Sequence, residues 1–295
     1  MRDQATLGAS PLKQTVQAKL LQNAGHVAVF FPFSEWVENA SATTVSDLSG
    51  TVTDLPIVGT TAGFGAAPAN GITLTTDNFL LLNNLVSGLD TDRLASIYDC
   101  TDGYNKIIYF GGAISIAATP TASCNYLLSL GGRDDVGANS VGQLNVRINN
   151  SRKIQWHLHE RAGSQLNEYA DLSTAITLNT VTNVFGFVIP GTSNNCPWYL
   201  NGVLNNTATL ATINDTGPIA EPTTNICLFA RAIDDDQAGT RYGALGAASA
   251  ATNPTARNWI IGSCSNNANN QVLLPQLAAY LANFKRLPAW IDQIT

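Results

Sequence analysis

The most constraining feature of the sequence is a pair of alternating segments, QLNVRI and IQWHLHE, which flank the short polar segment NNSRK within residues 143–160. In both segments every second residue is apolar and the residues between are polar. The apolar set is Leu144, Val146, Ile148, Ile154, Trp156 and Leu158. A period of two on both arms predicts an antiparallel hairpin with one buried face. Because a shift of one residue would turn Trp156 toward water, we expect its register to be firmly fixed.

The rest of the 295-residue chain repeats the same rhythm of short apolar runs separated by Gly, Pro and Asn, which is typical of an all-β domain. The predicted strands include HVAVFFPF, GITLTTDNFLLL, IIYFGGAISIAA, SCNYLLSLGG, ICLFARAI and WIIGS. NVFGFVIPG and CPWYLNGVL predict a further pair, whose second member ends in the turn dipeptide Asn201-Gly202. LAAYLANFKRLP is predicted as a closing strand, and residues 234–258 as a long irregular excursion.

Helix is predicted at two places only. Pro11 opens the segment LKQTVQAKLLQN, in which apolar residues recur at helical spacing. Those apolar residues are Leu12, Val16, Leu20 and Leu21. A second short helix is expected after Pro288, in AWIDQIT. The predicted organisation is therefore an N-terminal arm over residues 1–25, followed by one β-sandwich over residues 26–295.

Charge and hydropathy argue against two classes of partner, nucleic acids and membranes. Charged residues make up 12% of the chain, and its 15 basic residues are scattered within a net charge of −6, so we expect no nucleic-acid surface. No apolar run approaches the roughly 20 residues needed to span a bilayer, so we expect no membrane association. Residues 1–25 lack the apolar stretch of a secretory signal.

The cysteines are odd in number, five in all, and none are spaced as CxxC. This pattern favours buried free thiols over disulfides or a zinc site.

Four landmarks in order along the chain resemble the laminin-G-like branch of the concanavalin A-like lectin/glucanase superfamily. The first is VAVFFPF, followed by the Asp-Leu-Ser-Gly turn at residues 47–50. The others are YLLSLG from Tyr126, WYLNG from Trp198, and AYLANFKRL followed by AWIDQI. The resemblance covers residues 26–295 and implies a jelly-roll β-sandwich of two antiparallel sheets. Fold alone does not assign function.

Members of this superfamily that hydrolyse glycans carry paired carboxylates as Glu-x-Asp-x-x-Glu, and no such spacing occurs here. Glu35 and Glu38 lack the middle Asp, and Glu160 and Glu168 are expected in or near a loop. A glycosidase needs two carboxyl groups flanking the sugar bond, so we expect no enzymatic activity.

The resemblance also implies a rim where laminin-G-like domains often hold Ca²⁺. The acidic triplet Asp234, Asp235 and Asp236 supplies the hard oxygen ligands that calcium prefers, with Asp134-Asp135 as a second acidic pair. Consecutive carboxylates cannot all converge on one ion, so a solvated acidic turn is the favoured interpretation. No other cofactor is expected.

Two further sets of residues are candidates for ligand binding. Trp36 and Trp259 neighbour predicted loops, where an indole could stack on a sugar, although most tryptophans are buried. His157 and His159 are two apart on a strand and so share a face, which suits a metal. Without an evident third ligand, a solvated strand face is favoured for the histidines.

These features lead to a hypothesis and two alternatives. The first is a non-enzymatic virion protein, a bacteriophage capsid decoration or head-fibre protein assembled in the host cytoplasm, whose arm docks on the major capsid protein or another virion protein. Its sandwich would display a lectin-like surface, with a host-surface glycan as a second partner, and homo-oligomers are expected. The alternatives are a carbohydrate-binding receptor module of a tail fibre and a bacterial lectin or glycanase.

Overall fold

Two large antiparallel sheets packed face to face, one two-stranded sheet and one helix make up the described part of the chain. The structure is a computed structural model that describes residues 26–31, 44–45, 55–58, 72–73, 79–81, 106–120, 125–130, 143–161, 165–189, 194–210, 227–228, 230–233, 241–244 and 255–282. The strands are β1 Val27–Phe31, β2 Thr44–Val45, β3 Leu55–Val58, β4 Ile72–Thr73, β5 Phe79–Leu81, β6 Lys106–Ser115, β7 Asn125–Leu130, β8 Gln143–Ile148, β9 Ile154–Arg161, β10 Gln165–Asp171, β11 Thr182–Val188, β12 Asn194–Leu200, β13 Val203–Leu210, β14 Cys227–Leu228, β15 Ala230–Ile233, β16 Arg241–Ala244 and β17 Thr255–Ser265. Helix α1 spans Ala268–Ala282.

The strands form two large sheets and one small one. The first large sheet has the order β1-β17-β6-β11-β12-β13, with β4 also paired to β17. The second has the order β10-β9-β8-β7-β14-β5-β3-β2, and β15 pairs with β16 alone. These layers confirm the predicted fold class, an all-β sandwich of antiparallel sheets. No helix in the described ranges is long and apolar enough to cross a membrane.

The hairpin of β8 and β9 has the predicted register, with Val146 opposite Trp156 and Ile148 opposite Ile154. The second predicted hairpin is also present. Strand β11 pairs with β12, and β12 turns into β13 at Asn201 and Gly202, whose φ angles are 51° and 80°. Two successive residues with positive φ match the twist of a hairpin, which explains the Asn-Gly dipeptide.

Aromatic rings fill the space between the sheets. Trp156 from the second sheet stacks on Trp198 from the first, with ring centroids 5.6 Å apart, and both are fully buried. Trp259 packs edge-on to Phe110, and its indole N–H donates to the carbonyl oxygen of Ala113 at 3.1 Å. Glycines leave room for these rings, since a Cβ atom at Gly186 would overlap the Trp198 ring.

Helix α1 covers the outer face of the first sheet. Leu274, Ala278 and Leu281, spaced one turn apart, bury one side of the helix against that sheet. Its partners on the sheet are Ile107, Tyr109, Phe185, Phe187, Tyr199, Ile260 and Cys264. The side-chain Oδ1 of Asn267 accepts the N–H of Asn270 at 2.9 Å and so caps the first turn.

Three sequence-based expectations about elements are corrected. Residues 277–282 are helical, because the apolar positions Leu274, Ala278 and Leu281 follow helical rather than alternating spacing. The excursion over residues 234–258 contains β16 and the start of β17. Glu160 and Glu168 lie within β9 and β10 and not in a loop. Both the predicted N-terminal helix and the one after Pro288 lie outside the described residues.

Cys196 and Cys264 are buried and take part in no disulfide, as predicted. Burial raises the pKa of each thiol to about 12, so both are protonated at neutral pH. Cys100 and Cys124 lie outside the described residues, and nothing is described of the Cys227 side chain.

Replacing Gly186 with alanine should destabilise the fold by about 1–3 kcal/mol, because the added methyl group collides with the buried Trp198 ring. Urea unfolding would measure this loss. Thr207→Ala, at an exposed position on β13, is the matched control and should change stability by less than about 0.5 kcal/mol. Equal stability of Gly186→Ala and the wild type would show that the ring does not rest on this glycine.

Stability should fall as the pH drops below about 6.5, the pKa of histidine in an unfolded chain. His26 is buried where β1 begins, with Nδ1 3.1 Å from the Tyr109 hydroxyl. Burial lowers its pKa, against a smaller opposing effect of the Asn270 side chain. The unfolded state therefore takes up the proton first, and the stability present above pH 6.5 is lost as the pH falls toward the lowered pKa. Urea unfolding between pH 5 and 7.5 should show a shallower dependence for His26→Gln, and identical slopes would contradict this assignment.

Candidate functional site

The polar side chains of β8, β9 and β10 share the face of the second sheet that points away from the tryptophan core. Val146, Trp156 and Ala170 are fully buried and face inward, so their neighbours along each strand face outward. The outward side chains that the structure describes form two cross-strand rows. The rows are Arg147, Gln155 and Asp171, and Asn145, His157 and Tyr169.

The first row is a chain of hydrogen bonds across three strands. Arg147 Nε donates to Gln155 Oε1 at 2.5 Å, and Gln155 Nε2 donates to Asp171 Oδ1 at 2.5 Å. Arg147 and Gln155 are 8% and 3% exposed, whereas Asp171 is half-buried. A buried guanidinium is thus connected, through one carboxamide, to a carboxylate that reaches solvent.

The second row ends in an aromatic ring. Asn145 Nδ2 lies 3.5 Å from His157 Nδ1, and the His157 ring stacks on Tyr169 with centroids 4.9 Å apart and planes 18° apart. The guanidinium carbon of Arg147 lies 4.3 Å from the centroid of the same Tyr169 ring. Contacts from both rows therefore hold the Tyr169 side chain in place.

Tyr169 is the exposed member of this cluster, with 45% of its surface accessible, whereas Asn145 and His157 are buried. Strand β10 ends the sheet among the described strands, and both β8 and β9 lie on one side of it. We infer from this strand order that His157 and Arg147 contact the face of the ring toward β9, which leaves the opposite face toward the sheet edge. We call Tyr169 and Asp171, with the supporting Arg147, Gln155 and His157, the Tyr169 corner.

Strand β10 is fixed to the opposite sheet as well as to β9. The indole N–H of Trp198 donates to the carbonyl oxygen of Ala170 at 2.9 Å, and Asn206 Nδ2 donates to the carbonyl oxygen of Asp171 at 2.9 Å. Just beyond β10, Asn205 Oδ1 accepts the Ser173 hydroxyl at 2.6 Å. These hydrogen bonds join the two sheets beside Tyr169 and hold the backbone of β10 in place beneath the Tyr169 corner.

The structure places the sequence-based ligand candidates differently. Trp259 is 0% exposed and hydrogen-bonded in the core, so its ring is not available to a sugar. His157 is buried at 2% exposure beneath Tyr169, which corrects the expected solvated face. His159 shares that face by register, but its side chain is not among those described.

The remaining candidates lie outside the described residues. They are Trp36, the triplet Asp234, Asp235 and Asp236, and the arm residues Leu12, Val16, Leu20 and Leu21. Within the described ranges, no group of three His, Cys, Asp or Glu residues is placed to hold a metal ion.

Sequence reasoning missed Tyr169 because it missed β10. The signal was present: in QLNEYAD the residues Leu166, Glu168 and Ala170 alternate with Asn167, Tyr169 and Asp171, only a few residues after the end of β9. The charged Glu168 among the alternating positions hid the pattern, and the exposure of Tyr169 depends on β10 ending the sheet.

Comparison by sequence finds no matching family model and no matching curated protein. By structure, the chain is similar to the receptor binding domain of botulinum neurotoxin C/D mosaic serotype, with 13% identity and a TM-score of 0.48 over 87% of this chain and 51% of that one. It thus spans about half the length of that domain. It is also similar to the CBM40 of Ruminococcus gnavus IT-sialidase bound to alpha2,3 sialyllactose, with 14% identity and a TM-score of 0.40 over 62% of this chain and 91% of that one.

A third similar structure is the heptameric SAP-like pentraxin from Limulus polyphemus, with 10% identity and a TM-score of 0.32 over 61% of this chain and 72% of that one. At these identities and scores, the similarities do not identify the ligand or the function of this chain.

Proposed function

We propose that this chain is a non-enzymatic, lectin-like binding module that recognises a glycan at the Tyr169 corner. The observation that carries the proposal is a 45% exposed tyrosine whose ring contacts both His157 and Arg147. An exposed aromatic ring offers a flat apolar surface with a polar tip. A sugar ring has a matching apolar face with hydroxyl groups around its rim.

The neighbouring polar groups suit the hydroxyl groups of such a ligand. Asp171 Oδ1 accepts from Gln155, and within the described residues Oδ2 has no hydrogen-bond partner. Oδ2 can therefore accept a hydrogen bond from a sugar hydroxyl group. Because the ring and the carboxylate are already held, little conformational entropy is lost on binding.

The biological setting that we propose is the bacteriophage virion. In this proposal the chain is a laminin-G-like capsid decoration or head-fibre protein in which residues 1–25 dock on the major capsid protein, and it assembles as a homo-oligomer. The thiols of Cys196 and Cys264, protonated and in no disulfide, support synthesis in a reducing cytoplasm, and a surface poor in charge suits a fixed assembly. In the two alternatives, a tail-fibre receptor module and a bacterial lectin, the same corner binds the glycan. They differ from the capsid protein in the particle or cell to which the module belongs.

Removing the Tyr169 ring should abolish glycan binding without unfolding the chain. We expect Tyr169→Ala to weaken binding to an immobilised glycan panel by about tenfold or more, since stacking contributes about 0.5–1.5 kcal/mol beyond the buried area. Tyr169→Phe keeps the ring and should retain most of the affinity. Val203→Ser, at a position 70% exposed in the other sheet, is the control. Full binding by Tyr169→Ala, or release of reducing sugar by the wild type, would contradict the proposal.

Docking on a capsid is tested by co-sedimentation with expanded capsids that lack this protein. The full chain should pellet with them, and a chain lacking residues 1–25 should stay in the supernatant while still binding glycan. Glycan binding by the full chain with no sedimentation would favour the receptor-module alternative. Sedimentation that survives the deletion would rule out the arm as the docking segment.

A further inference from the structure

The charges at the Tyr169 corner narrow the class of sugar. We propose that the corner takes neutral sugar rings and discriminates against rings that carry a carboxylate. This inference rests on the proposed glycan-binding function and adds the charge of the ligand, which stacking on Tyr169 alone leaves open.

The cation nearest to the Tyr169 ring, Arg147, already interacts with other residues of the protein. Arg147 is 8% exposed, its Nε–H is bonded to Gln155, and its guanidinium carbon lies 4.3 Å from the centroid of the Tyr169 ring. A sugar on the opposite face of the ring is separated from the guanidinium by the ring itself. Arg147 therefore positions Tyr169 and does not form the bidentate pair by which arginine usually recognises a carboxylate.

The charge that reaches solvent beside the ring is negative. Asp171 follows Tyr169 by two residues on the same face of β10, about 7 Å along the strand, and its Oδ2 is open among the described residues. A ligand carboxylate bound against Tyr169 would meet a like charge at this distance. A neutral hydroxymethyl group in the same place would instead donate a hydrogen bond to Asp171.

A second cation near this face, Lys153, is too distant to compensate for Asp171. Lys153 precedes β9 and lies four residues from His157, the partner of Tyr169, which is about 13 Å along the strand. That separation exceeds the Debye length of about 8 Å at physiological ionic strength. Asp171 lies between the levels of Lys153 and Tyr169, so Lys153 does not neutralise the carboxylate beside the ring.

Matched ligand pairs test this inference directly. Methyl glucoside against methyl glucuronide, and methyl galactoside against methyl galacturonide, differ only at C6, where a hydroxymethyl group is replaced by a carboxylate. Titrations of the full chain followed by NMR should give about three- to tenfold weaker binding for the uronide of whichever pair binds. Raising NaCl from 50 to 500 mM should reduce the difference in affinity between the two members of a pair, because salt screens the repulsion between Asp171 and the ligand carboxylate.

Two variants separate the role of Asp171 from general effects. Asp171→Asn should bring the two members of a pair to within about twofold, whereas Lys153→Gln should leave their ratio unchanged. Tighter binding of a uronide than of its neutral partner, weakened by added salt, would overturn the inference. The proposal that glycans bind at Tyr169 would remain. Absence of binding to every member of both pairs and to the glycan panel would overturn the inference and the proposed function together. If Asp171→Asn fails to fold, two measurements still test the inference. They are the salt dependence of uronide binding by the wild type and the ratio of uronide to neutral-glycoside affinity in Lys153→Gln.

Discussion

The alternation of side chains along β8, β9 and β10 imposes two environments on three adjacent strands. Inward side chains fill the space between the sheets around the Trp156–Trp198 stack, and the outward side chains that the structure describes form two polar rows. Burial of Trp156 fixes the register, because a shift of one residue would exchange the two sets. The position of Tyr169 above His157 therefore follows from the packing on the other side of the sheet.

The rest of the fold supports that arrangement. Helix α1 shields the far face of the first sheet, which lets rings pack on both of its sides, and Gly111, Gly112 and Gly186 leave space for those rings. The indole of Trp198 serves both layers, since it stacks on Trp156 and bonds to the backbone of Ala170 next to Tyr169. A change in the core at Trp198 is thus transmitted to the strand that carries the corner.

The local pattern of the sequence was sufficient to predict the β8–β9 and β11–β12 pairs, because their alternation or turn residues lie within a few positions. It was insufficient for α1, where the apolar run LAAYLA fits a strand until the burial of Leu274, Ala278 and Leu281 shows the helical period. It was also insufficient for the site. Whether Trp259 or Tyr169 is exposed depends on which strand ends a sheet, and strand order is set by contacts between residues distant in the chain.

Glycan binding at the Tyr169 corner requires that the ring, which contacts His157 and Arg147, offers its exposed side to a sugar. The most direct measurement is the set of intermolecular nuclear Overhauser effects between a bound neutral methyl glycoside and the aromatic protons of the chain. Binding at the Tyr169 corner should give contacts from the C–H protons on one face of the sugar to the ring protons of Tyr169, and none to the buried indoles of Trp156, Trp198 and Trp259. Contacts confined to other aromatic residues, with the Tyr169 resonances unchanged at saturation, would contradict it.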